Sequence, residues 1–298
     1  MRLSTVARGV YYELSKNNKK LLLEKENFEC LESILESETK NLCSRGNLEL
    51  LKIEKTNYSK EEMYAHLFNA KYFVDNFLGL SANTPKMGNF SIWDRDFYSM
   101  LTLTGYTLGG ITAALSIPGY DYNFYGGLLL SFAGIFAFAS THIMHNSFLK
   151  TTSYLPITEK IIIEPVSKFI LPSDCAHEYT HHLWRKNRIF MQDIEEGFAR
   201  NVERHYCLHL AEKNNDDRFL QNTLWTHCGE LNEAYTWAVN KLGKKAAVFE
   251  PLSPVKCKSP NSYSLGSALL RIAEEGDGVN AYKNLINAHL VSKAFSNL

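Results

Sequence analysis

Apolar positions fall at helical intervals along most of this chain, a pattern that predicts a mainly α protein with a small β element. In residues 1 to about 90, Leu31, Ile34 and Leu35 recur on one helical face with glutamates between them. Ser59-Lys60-Glu61-Glu62 has the form of a capping box, and Met63, Leu67, Phe68, Phe73 and Phe77 continue it as a helix with a core face. Further on, Ile161-Ile162-Ile163 reads as a short strand that Pro165 ends. Pro172-Ser173-Asp174 then marks the start of a helix running to about Trp184, and Asp193 caps another. Helices are expected at Glu230–Leu242, Ser264–Ala273 and Val279–Phe295, with Pro251–Ser262 as a long loop between the first two.

One region breaks the amphipathic pattern. From Phe97 to Leu149 the sole formally charged side chain is Asp121. Two apolar runs, Phe97–Ile117 and Phe124–Met144, each have about the twenty residues a helix needs to cross a bilayer. Pro118-Gly119-Tyr120-Asp121-Tyr122-Asn123 between them has turn chemistry. Gly105, Gly109, Ala133, Gly134, Ala137 and Ser140 supply small side chains for close packing in lipid. A transmembrane hairpin over 97–145 is therefore expected. Lys86, Arg95, Lys150 and Lys160 flank it outside the turn, which places both termini on the cytoplasmic side. His142 and His145 have no companion carboxylate or cysteine and read as structural.

Composition narrows the function. Lysine plus arginine equals aspartate plus glutamate, 32 each, so overall charge gives no reason to expect a nucleic-acid partner. The 6 cysteines contain no Cys-x-x-Cys pair and read as reduced intracellular thiols. Met1-Arg2-Leu3-Ser4-Thr5 lacks the apolar run of a signal peptide, so no secretory leader is expected.

The candidate chemistry lies in Ala176-His177-Glu178-Tyr179-Thr180-His181-His182. Residues four apart share a helical face, so His177 and His181 can both reach one metal ion. Glu178 lies beside that face, where a carboxylate can take a proton from water at the metal. A catalytic zinc site usually needs a third protein ligand. Gln192-Asp193-Ile194-Glu195-Glu196-Gly197-Phe198-Ala199 opens the next helix, and Glu196 lies fifteen residues beyond His181, enough chain to turn back on the first helix. Gly197 removes bulk beside that carboxylate, as a close helix approach requires. Glu195 is the alternative ligand.

His-Glu-x-x-His followed by Glu-Gly-Phe-Ala resembles the gluzincin metallopeptidases, a likeness that spans roughly residues 160 to 270. The resemblance implies a zincin-like domain over 155–298 binding one Zn2+ through His177, His181 and Glu196. It also implies that Glu178 is the general base and that Glu203 orients a ligand histidine. The Gly-x-Met-Glu-Asn element of the related aminopeptidases is absent. A membrane hairpin before the metal motif is similar in layout to the HtpX-like membrane peptidases, which usually carry further spans after the motif. Tyr263, opening a later helix, is a candidate hydrogen-bond donor to an oxyanion. His66, His182, His205, His209 and His227 read as structural, and Cys207 lies too far along its helix to share the metal. The expected protein is a membrane-anchored zinc peptidase with its active site on the cytoplasmic side, acting on membrane-associated or newly exposed polypeptides.

Overall fold

The computed structural model describes residues 18–45, 58–89, 107, 109–112, 114–115, 125–136, 152–155, 159–163, 167–189, 194–252 and 259–296. The named elements run α1 (Asn18–Leu21), α2 (Lys25–Ser44), α3 (Lys60–Leu78), β1 (Lys86–Asn89), β2 (Ser153–Leu155), β3 (Lys160–Ile163), α4 (Leu171–Lys186), α5 (Glu195–Asn214), α6 (Arg218–Leu242), α7 (Ser262–Asp277) and α8 (Asn280–Ser296). The fold is mainly α, with the three short strands in one sheet of order β1-β3-β2. Two compact units are present: residues 1–86, 154–161 and 165–298, and residues 87–153 with 162–164.

The helices of the larger unit start and stop where their residues dictate. Ser59 and Glu62 form the reciprocal capping box at α3, and Gly79 ends that helix in the left-handed conformation. Helix α4 begins at Leu171 with proline in its first turn, where a missing N–H costs nothing, and runs two residues past Trp184. Asp193, expected to cap α5, lies outside the described residues, as do 253–258 of the expected loop. Helix α6 begins at Arg218, well before the expected Glu230. Helix α5 packs on α4, α6 and α7, while α3 lies against α4 and α2 against α6. An aromatic seam helps join them: Phe73 meets Tyr206, Phe77 meets Tyr282, and Phe198 lies between Trp184 and Tyr282.

The smaller unit includes the expected hairpin. Most of residues 97–117 and 137–145, and all of the turn at 118–123, lie outside the described residues. No described helix is long and apolar enough to cross a membrane. Residues 125–136 are helical, and Leu129, Phe132 and Ile135 are 62–70% exposed, whereas Gly127 and Gly134 are buried.

A buried polar cluster sits in the larger unit away from the histidine pair of α4. Glu38 of α2 accepts hydrogen bonds from Arg204 of α5 and Arg271 of α7. His227 of α6 is fully buried near them, and neither ring nitrogen has a hydrogen-bond partner among the described residues. Burial, then the charges of Arg204 and Arg271, hold its pKa well below the ordinary histidine value; Glu274 opposes and Arg200 reinforces them. Folded His227 stays neutral while the unfolded chain takes up a proton near pH 6.5, so its contribution to stability is complete above that pH and falls as pH drops below it. His227→Leu is therefore expected to flatten the acid side of the stability curve, closing a gap of about 2 kcal/mol between pH 7 and pH 5. Urea unfolding of both proteins across that range measures it; parallel curves would refute it.

Candidate metal centre

Helices α4 and α5 cross so that the first turn of α5 faces the middle of α4. His177 and His181, one turn apart, present their Nε2 atoms 3.2 Å from each other. The Oε2 atom of Glu196 lies 3.4 Å from His177 Nε2 and 3.3 Å from His181 Nε2. Three donors at these separations match the edges of a tetrahedron about an ion with bonds of about 2.0–2.1 Å, for which the edge is about 3.3 Å. The residues present therefore fit a zinc ion, and His177, His181 and Glu196 form a group able to hold one.

The outer nitrogens of both rings are held by carboxylates. His177 Nδ1 lies 3.1 Å from Glu203 Oε2, and His181 Nδ1 lies 2.9 Å from Glu195 Oε1. This arrangement directs each Nε2 inward and makes it a better donor. Glu195, weighed above as an alternative ligand, thus reaches the back of His181 while its neighbour Glu196 faces both rings. Glu203 also accepts a hydrogen bond from Arg200, 2.6 Å away. Arg200 donates in turn to Glu230, whose other oxygen accepts from Ser267.

These contacts govern protonation. Burial works against a charged His177, but Glu196 and Glu203 outweigh it and raise its pKa. The same contest at His181 ends with Glu195 and Glu196 pushing it up to about 10. Burial would raise the Glu196 carboxyl, yet the two imidazoles hold it well below the usual carboxylate range. The site thus has a strong demand for positive charge, the condition a metal cation meets. Glu178 is buried, and its Oε2 accepts a 2.6 Å hydrogen bond from the backbone N–H of Tyr154 in β2. Burial raises its pKa against the pull of both histidines and that amide.

Tyr263 of α7 stands over the site. Its ring stacks on His177 with centroids 6.2 Å apart, and Arg200 lies over it. Burial and then the nearby Glu196 raise its pKa, so the phenol keeps its proton. Gly197 does permit a close helix approach, but the partner is α7. A Cβ there would lie 2.3 Å from the Ser267 nitrogen and 2.5 Å from the Gly266 Cα.

The remaining histidines of the larger unit fall outside the metal group. His182 bonds the Tyr154 hydroxyl and the Asn83 carbonyl. His205 lies against Phe77, Tyr282 and Glu274, His209 stacks on Phe73, and His66 meets the Tyr58 ring. Cys207 hydrogen-bonds Thr223. Sequence reading does not find Arg200, Glu230, Ser267 or the Tyr154 amide, because each acts through a partner distant in the chain. Tyr179, inside the motif, is another such case: its hydroxyl donates to Asp75 and accepts from Lys71, tying α4 to α3.

No protein-family profile matches this chain, and no curated protein or solved structure matches it either.

Two substitutions test the arrangement. Gly197→Ala forces a methyl into backbone that cannot move aside and is expected to cost about 3 kcal/mol. Gly229→Ala, at a helical position with nothing within 4 Å, is expected to be neutral or stabilising by up to about 1 kcal/mol. Equal thermal shifts for the two would refute the contact. Glu195→Ala is expected to weaken zinc binding about 10–100-fold, measured by competition with a chelating dye; unchanged affinity would remove Glu195 from the site.

Proposed function

We propose that this chain is a zinc-dependent hydrolase of the gluzincin type acting on polypeptides. The observation that carries the reading is the convergence of His177 Nε2, His181 Nε2 and Glu196 Oε2 at 3.2–3.4 Å, with Glu178 buried on the same helix as the histidines.

Zinc, when bound, supplies a Lewis acid and lowers the pKa of water towards neutrality. Glu178 takes the proton of the attacking water and returns it to the leaving amine. The raised pKa of its carboxyl suits both transfers, and the Tyr154 amide fixes the oxygen that is not receiving the proton. Tyr263, kept protonated, donates a hydrogen bond to the oxyanion of the tetrahedral intermediate. Glu195 and Glu203 hold the ligand rings, and Arg200 keeps Glu203 charged. The choice of peptide over another amide rests on the His-Glu-x-x-His and Glu-Gly-Phe-Ala pairing.

The expected metal content of the full chain is one zinc, lost in His177→Ala and Glu196→Ala. Glu178→Gln is expected to keep the zinc and lower cleavage of an unfolded, dye-labelled polypeptide about 10²–10⁴-fold. A wild type without zinc would leave a helical scaffold. Zinc without polypeptide cleavage, but with turnover of a lipid or a small amide, would make it a hydrolase of another class.

A further inference from the structure

The helix at 125–136 is inverted relative to one in an aqueous protein. At about 100° per residue, Gly127 and Gly134 share one face and Leu129 and Phe132 lie opposite. The glycines are the buried side. Leu129 and Phe132 are exposed, at 70% and 62%, and Ile135 at 65% widens the same outward surface. Among the helical residues near 111, Gly109 is buried and Ile111 and Leu115 are about half exposed, with Gly110 and Ala114 exposed beside them. Small side chains inside and large aliphatic and aromatic ones outside is the arrangement of helices packed within lipid, where no hydrophobic gain rewards turning large residues inward.

We propose that this face is covered by the acyl chains of a bilayer. Lipid suits it better than a second copy of the chain. A protein partner needs a polar or charged rim to fix its register, yet Asp121 is the one formal charge between Phe97 and Leu149. Gly127 and Gly134, the small residues of this helix that would let another backbone approach closely, face inward. Large apolar side chains grouped this way on one helical face are rarely left open to water in a soluble monomer.

The test uses the full chain, reconstituted by detergent removal into vesicles of phosphatidylcholine and phosphatidylglycerol and floated on a density gradient. Wild type is expected to float and to resist an alkaline carbonate wash. A protein carrying Leu129→Gln, Phe132→Gln and Ile135→Gln is expected to lose vesicle association about tenfold or more while keeping its helical circular dichroism. A second readout guards against misfolding of that variant. In vesicles with brominated acyl chains, Phe132→Trp is expected to show quenching beyond that of the 4 native tryptophans. Wild type left in the aqueous fraction, or no added quenching, would overturn the proposal. A discrete dimer in solution without lipid would assign the face to a second copy and overturn it too. Neither readout involves the metal, so the outcome is separate from that of the hydrolase reading.

Discussion

Two helices touch backbone to backbone at one place beside the candidate metal centre, and the geometry of that centre depends on it. Gly197 of α5 meets Gly266 and Ser267 of α7 at a separation that leaves no room for a Cβ on either glycine. Glu196 is the residue before that contact, and Tyr263 is one turn before it on the other helix. Fixing α5 against α7 therefore sets a carboxylate and a phenol in one step. Helix α4 then has only to pack across α5 for His177 and His181 to meet Glu196. Glu178 follows without a separate device, since it is rigidly one residue from His177. The precision comes from close-packed backbone, which deforms far less readily than a side chain can change rotamer.

The second constraint is charge. Glu178, Glu195, Glu196 and Glu203 surround two imidazoles and one guanidinium, and His177, Glu178 and Glu203 are buried. Carboxylates so confined are costly unless cations balance them. Arg200 balances part of the excess and is shared between Glu203 and Glu230, while Ser267 on α7 completes the solvation of Glu230. The network thus returns to the helix that carries the glycine contact. Packing and electrostatics reinforce each other because both run through α5 and α7.

His177, Glu178 and His181 are legible in the sequence because their relation is local: helical periodicity alone puts the two rings on one face. Glu196 is legible one step less directly, through the Glu-Gly-Phe-Ala setting that supplies a helix start with a small residue. The partition of labour between Glu195 and Glu196 is not. Adjacent helical residues differ by about 100°, and only the crossing of α5 over α4 decides which carboxylate points between the rings and which passes behind one of them. The same limit hides Arg200 and Glu230, whose partners are set by tertiary contacts. The α3 capping box and the Ile161–Ile163 strand are read correctly from local patterns. The early start of α6 is not, although Asp216 accepts a hydrogen bond from the Arg218 N–H there, because no apolar periodicity is read before Glu230.

The exposure of the three donors bears on what kind of metal ion site this group could form. His177 and His181 have side chains only 9% and 12% exposed, whereas Glu196 is 34% exposed. The group therefore opens on the side of its carboxylate. A structural zinc site closes its coordination with four protein ligands, usually including cysteine thiolates. Here the metal group among the described residues has three members, none of them a cysteine, and Cys175, Cys207 and Cys228 are buried as free thiols. A purely structural role would also leave Glu178 without purpose, since a buried carboxyl held by one backbone amide costs stability that an apolar residue would not. Three protein donors, one open side and a proton acceptor of raised pKa at the same helical turn are the features that the proposed water activation calls for.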